Sequence, residues 1–131
     1  MDLSTQIETT IRDSMAVKQR LLDNGIAEPI LAMAVVVAQS IANGGKVLLC
    51  GNGGSAGDAQ HLAGEFLVRL RASLNRDALP ALSLITDSST LTACANDYGY
   101  DQIFARPLAA LGQQGDVLLA ITTSGNSANI L

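Results

Sequence analysis

The chain has no tryptophan, and only two phenylalanines and two tyrosines among its 131 residues. Its core must therefore be assembled from Ala, Leu, Val and Ile. Histidine occurs once and cysteine twice. Cys50 and Cys94 form no CxxC pair, which argues against a cysteine-rich metal site or a disulfide framework. Free thiols in a reducing cytoplasm are the expectation. Only 15% of residues are charged, the formal net charge is −4, and no basic run occurs. Nucleic acid is thereby excluded as a direct partner, since that binding needs a positive patch. The first residues, MDLSTQIETT, lack the basic and apolar regions of a signal peptide, so none is expected. The longest apolar run, residues 30–38, falls well short of the roughly 20 residues that span a bilayer. No membrane partner is expected.

What is present centres on residues 46–69, KVLLCGNGGSAGDAQHLAGEFLVR. The apolar run Val47–Cys50 has strand character. Gly51, Asn52, Gly53, Gly54 and Ser55 follow, rich in residues that tolerate positive φ. A helical pattern then starts at Ser55 or Ala56 and is expected to reach about Arg71. A strand, a glycine-rich turn and a helix N-terminus make an anion site, because the first helical N–H groups are unpaired and the dipole favours negative charge there. On that helix Leu62, Phe66, Ala59 and Ala63 share an apolar face. Asp58, His61, Glu65 and Arg69 share the stripe beside it. Alone, Glu65 and Arg69 at i,i+4 would make an ordinary surface pair worth about 0.3–0.5 kcal/mol. The glycine loop directly upstream points instead to a site.

Leu3, Ile7, Ile11 and Met15 recur at helical spacing and predict a helix over 3–23, with Gly25 as its stop. Pro29 suits the first turn of a second helix, running to about Asn43. That helix is apolar nearly all round and needs cover, for which a sister subunit is the expected source. Ala81–Ile85 reads as a second strand. Thr86, Asp87 and Ser88 form a turn, with Asp87 or Ser88 as N-cap of a helix to about Ala95 that Asn96–Gly99 breaks. A helix over 102–111 carries Pro107 within it, as a kink or a restart. Val117–Ile121 reads as a third strand, followed by Thr122, Thr123, Ser124, Gly125, Asn126 and Ser127. Residues 128–131 read as the start of a helix. Strands alternating with helices predict a parallel sheet covered on both faces, with ligands beyond the carboxyl ends of the strands. The hydroxyl-rich loop 122–127 shares that edge with the glycine loop and suits a phosphate.

Residues 51–56 also fit the dinucleotide pattern G-x-G-x-x-A, which is weak alone. Its acidic partner should end the second strand. Asp77 precedes that strand and Asp87 lies too far on, so this reading fails.

The run CGNGGSAGDAQHLAGEF, with NDYG at 96–99 and GDVLLAITTSGNSAN at 115–129, resembles the phosphoheptose isomerases of the sugar isomerase (SIS) superfamily over the whole chain. The resemblance implies an α/β, flavodoxin-like SIS domain over 45–131 and oligomerisation helices over 1–44. It implies a cytoplasmic homotetramer bundled through those helices. It implies isomerisation of sedoheptulose 7-phosphate to D-glycero-D-manno-heptose 7-phosphate for bacterial envelope heptose synthesis. It further implies zinc held by His61 and Glu65, Glu65 as base, and substrate contacts at Asn52, Gly53, Gly54, Ser55, Glu65, Arg69, Asn96, Asp97, Thr122, Thr123, Ser124 and Ser127. Thr122 stands where many members carry Ser and keeps the hydroxyl. Members continue through further strands and a helix that supplies a glutamine and a second histidine. The chain is accordingly expected to be C-terminally truncated and inactive alone, with the third strand as an exposed edge. The alternative is a non-catalytic SIS-type protein that binds a sugar phosphate or a replication initiator. Glu65, absent from the initiator-binding relative, favours the enzyme.

Overall fold

A computed structural model describes residues 2–85 and 87–131. Met1 and Thr86, the first residue of the expected turn at 86–88, lie outside the described residues. The chain divides into two compact units, Met1–Val36 and Val37–Leu131. The division between these units falls inside the second helix.

In the first unit, helix α1 covers Leu3–Asp23, as its apolar spacing predicts. Arg20 in its last turn meets the negative end of the dipole. Gly25, at φ 72°, reverses the chain and donates its N–H to Leu22 O. Helix α2 covers Ala27–Ala42, with Pro29 in its first turn, where a missing N–H costs nothing.

The second unit is a parallel three-stranded sheet of order β2-β1-β3. Strand β1 is Val47–Gly51, β2 is Ala81–Ser83 and β3 is Val117–Ile121. Every residue of β1 is buried, as a central strand covered on both faces requires. Alternate side chains part to the two faces. Val47 and Leu49 pack with Ala59 and Ala63 of helix α3 (Gly54–Leu67) and with Val37 and Ile41 of the end of α2. Leu48 and Cys50 pack with Leu84, Cys94, Ile103 and Phe104 on the other face. That second face is covered by helix α4 (Ser88–Tyr98), a single 3₁₀ turn (Tyr100–Gln102) and helix α5 (Ala105–Leu111).

Both cysteines are free and buried, and burial pushes the Cys50 thiol above its ordinary value. Asp87 caps α4 by accepting the N–H of Thr90 at 2.6 Å. This helix runs through Asn96–Tyr98, three residues expected to break it, and stops only at Gly99, whose φ is 94°. Pro107 sits in the first turn of α5, so the restart is the outcome. Residues 128–131 form a turn rather than a helix: Ser127 O accepts from Ile130 N and Leu131 N. Strand β3 pairs with β1 along one side, and Leu118 on it is 41% exposed. Lys46 and Asp116 clamp the starts of β1 and β3 through a 2.6 Å ion pair. Ser40 adds a 2.6 Å bond from α2 to Gly115 O.

Candidate functional site

The ends of β1 and β3 lie side by side, Gly51 opposite Ile121. Their loops therefore emerge together at the carboxyl edge of the sheet, the expected place for a ligand. Gly51 is required by close approach: a Cβ there would lie 2.5 Å from Ser55 O. Gly53, at φ 55° and ψ −119°, is the N-cap of α3 in a conformation that favours glycine. No side chain caps this helix and its first turn holds no acid, so its leading N–H groups remain for a ligand's oxygens. Gly53 and Gly54 are exposed and Ser55 is buried.

In the second loop the hydroxyls converge. Thr122 Oγ1 lies 3.3 Å from Ser127 Oγ and 3.4 Å from Ser124 Oγ. Thr122 Oγ1 also accepts the N–H of Gly125, at φ 68°, and Ser124 Oγ accepts that of Asn126. Thr123 is exposed beside them. Neutral donors gathered around a turn suit a phosphate dianion.

On α3, His61 Nε2 lies 3.4 Å from Glu65 Oε1, one turn apart on the helix. The imidazole is largely exposed, whereas the Glu65 side chain is 24% exposed. Glu65 Oε2 is buried and has no hydrogen-bond partner among the described residues. A carboxylate oxygen shielded from water and unpartnered in its own fold is a group awaiting a proton, a metal or a substrate hydroxyl. Imidazole and carboxylate are both zinc donors, but no group of three or more His, Cys, Asp or Glu exists among the described residues. The pair thus fits half of a zinc site, which ordinarily takes at least three protein ligands.

Arg69 does not share a helix with this pair. Helix α3 ends at Leu67, short of the expected Arg71, and Arg69 follows as an exposed residue outside it. The expected four-residue stripe is therefore Asp58, His61 and Glu65 alone. The cause is tertiary. Residues 68–80 fold back, and the Arg76 guanidinium donates to Glu65 O at 2.6 Å and Phe66 O at 2.9 Å, while Leu79 N donates to Phe66 O. The last carbonyls of α3 are satisfied by this later segment instead of by another helical turn. Nothing local in the sequence marks Arg76 for this role.

Asn96 Nδ2 donates to Asp97 Oδ1 at 2.8 Å on the exposed side of α4. Asp97 lines a groove with Cys94, Tyr98 and Arg106, and the Arg106 guanidinium lies 3.6 Å from the centre of the Tyr98 ring. A separate cleft of about 280 Å³ opens beside the glycine loop, lined by Asn52 and Gly53 and floored by Leu91, Ile103 and Phe104. His61, Glu65 and loop 122–127 do not line it. The two loops thus meet at one edge, while Arg69 lies beyond the end of α3 and Asp97 lines a different groove.

Known proteins fit this arrangement. The family described as the SIS domain matches residues 11–131. A phosphoheptose isomerase of Chlorobaculum parvum is 59% identical over 105 residues, covering 80% of this chain and 50% of that protein. Another, of Chlorobaculum tepidum, is 50% identical over 130 residues, covering 97% of this chain and 62% of that protein. The solved phosphoheptose isomerase of Neisseria gonorrhoeae superposes with a TM-score of 0.88 at 43% identity, over 98% of this chain and 65% of that one. That of Francisella tularensis gives 0.91 at 41%, over 99% and 66%. The chain spans between half and two thirds of the length of these relatives.

Proposed function

Since this chain belongs to the SIS-domain family, we propose that it serves the reaction of a phosphoheptose isomerase, sedoheptulose 7-phosphate to D-glycero-D-manno-heptose 7-phosphate. The observation that carries the proposal is the buried, unpartnered Glu65 Oε2 beside His61, on the helix that the glycine loop opens. Relatives at about half identity bearing that name support it.

In this reading the hydroxyls of Thr122, Thr123, Ser124 and Ser127 take the phosphate. The sugar then reaches the N–H groups at Gly53–Ser55 and the Glu65 carboxylate. Glu65 removes a proton from C1 of the ketose and returns it to C2 through an enediol, while a proton moves from O1 to O2. The partly buried carboxylate, with one oxygen shielded from water, limits exchange of that proton with solvent. His61 and Glu65 would be two ligands of a zinc ion, which supplies polarisation of the substrate oxygens when bound. Asn96, Asp97 and Arg69 join as substrate contacts only through the resemblance. The setting is the cytoplasm and the product feeds envelope heptose synthesis.

Assembly as a homotetramer through residues 1–43 belongs to the same proposal. Its support is α1, which buries none of its residues: Leu3, Ile7, Ile11 and Met15 are 56–73% exposed.

The test of the reaction is substrate conversion followed by NMR of the anomeric protons. In the full-length context, Glu65→Gln is expected to cost about 10²–10⁴ in rate, the usual contribution of a general base. Phosphate binding should survive that change. Turnover in the variant equal to the unmodified protein's would remove Glu65 as the base.

A further inference from the structure

Past the last ladder pair, Gly51 with Ile121, strands β1 and β3 lead into separate loops. Among the described residues, those loops are tied by a pair of side-chain amides. Asn52 Nδ2 donates to Asn129 Oδ1 at 2.7 Å, and Asn129 Nδ2 donates back to Asn52 Oδ1 at 2.8 Å. The Tyr100 hydroxyl donates a third bond to Asn52 Oδ1 at 3.1 Å.

Three features make this more than a surface contact. Asn129 is 8% exposed, so breaking the pair strands polar atoms away from water. Asn52 immediately precedes Gly53, which sits at positive φ, and the Asn52 carbonyl accepts the Ala56 N–H at a long 3.3 Å, so the side-chain pair is the shorter tie at this residue. Asn129 lies in the turn whose N–H groups close on Ser127 O, and Ser127 Oγ is 3.3 Å from Thr122 Oγ1. The chain of contacts runs from the glycine loop through both amides to the hydroxyl cluster.

The pair also occupies Asn52. Its Oδ1 accepts twice, and one of its two amide hydrogens is taken. The side chain is committed to the fold, with a single N–H to spare. Ligand contact at this loop then falls mainly to backbone N–H groups.

We propose that Asn129 is a positioning residue, which holds the glycine loop and the hydroxyl loop at a fixed spacing so that one sugar phosphate meets both. The proposal rests on the sugar-phosphate reading of the site given above. Tyr100 supports it through Asn52. Asn129 acts from a buried position and Tyr100 from the wall of the cleft beside the glycine loop, each through the spacing of the two loops.

Two probes separate this role from plain stability. Inorganic phosphate needs only the hydroxyl loop, whereas sedoheptulose 7-phosphate needs both loops. Binding of each is measured by calorimetry on the purified protein, Asn129→Ala and Tyr100→Phe. With Asn129→Ala, sugar-phosphate binding is expected to weaken about ten-fold or more and phosphate binding by no more than about two-fold. Tyr100→Phe should show the same split to a smaller degree. Equal losses for both probes, or no loss for either, overturn the proposal. Should Asn129→Ala fail to fold, Tyr100→Phe decides alone, because that ring is exposed and its loss of one hydroxyl leaves the core intact. Unmodified protein that does not bind the sugar phosphate overturns the functional reading itself, and the proposal with it, before any variant is compared.

Discussion

Asp116 shows how one side chain sets the frame for the site. It accepts from Lys46 N at 2.9 Å, from Lys46 Nζ at 2.6 Å and from Gln113 N at 2.8 Å. The hydrogen bond from Lys46 holds its carboxyl below the ordinary value, against the opposing effect of burial. A carboxylate lowered in the folded state contributes stability above its unfolded value of about 3.9, and loses it as pH falls through the lower folded value. Urea unfolding should therefore show a steady gap in stability between the protein and Asp116→Asn from about pH 7 to pH 5, narrowing below about pH 4. A gap of constant size down to strong acid would contradict the clamp. The consequence reaches the site, since this clamp fixes the starts of the two strands whose ends carry the loops.

At the scale of elements, α3 is decided at both ends by something other than helix propensity. Its start needs Gly53, and its finish depends on Arg76. A guanidinium on two terminal carbonyls satisfies orphan acceptors and meets the negative end of the dipole. Arg76→Ala is expected to cost about 1–3 kcal/mol, the range for stranded acceptors and charged hydrogen bonds. Hydrogen exchange should then quicken in the last turn of α3, where Glu65 sits. Arg76→Lys should recover only part of the loss, because an ammonium lacks the planar fork that spans two carbonyls. Unchanged exchange at residues 63–67 would show that the helix holds its end without this residue.

For the whole molecule, the first compact unit poses the question of cover. Its helix α1 buries nothing, and on α2 Ile30, Leu31, Met33 and Val36 are each more than half exposed. Apolar area on this scale marks an interaction surface. Light scattering at micromolar concentration should report a tetramer. Ile7→Lys with Ile11→Lys should shift it toward monomer while circular dichroism keeps the sheet signal of the second unit. A monodisperse monomer from the unmodified protein would end the proposal of self-assembly. Among the described residues no single helix is long and apolar enough to cross a membrane.

Much of this was legible in the residues themselves. The four-residue spacing from Leu3 to Met15, the apolar runs at 47–50 and 117–121, the cap at Asp87 and the glycine loop each depend on neighbours a few positions apart. Periodicity and turn chemistry report those interactions directly. Alternation of these elements then fixed a parallel α/β sheet, and the run from Gly51 to Phe66 marked His61 and Glu65. The tertiary structure decided what depends on distant partners. It ended α3 at Leu67 and moved Arg69 off the stripe, because Arg76 and Leu79 return to the carbonyls that another turn would have used. It turned residues 128–131 into a turn and brought Asn129 against Asn52, 77 positions away in the chain. It buried one oxygen of Glu65 and left it without a partner among the described residues. Such pairings leave no periodic trace, since their energy comes from satisfying polar groups that only the folded chain hides from water.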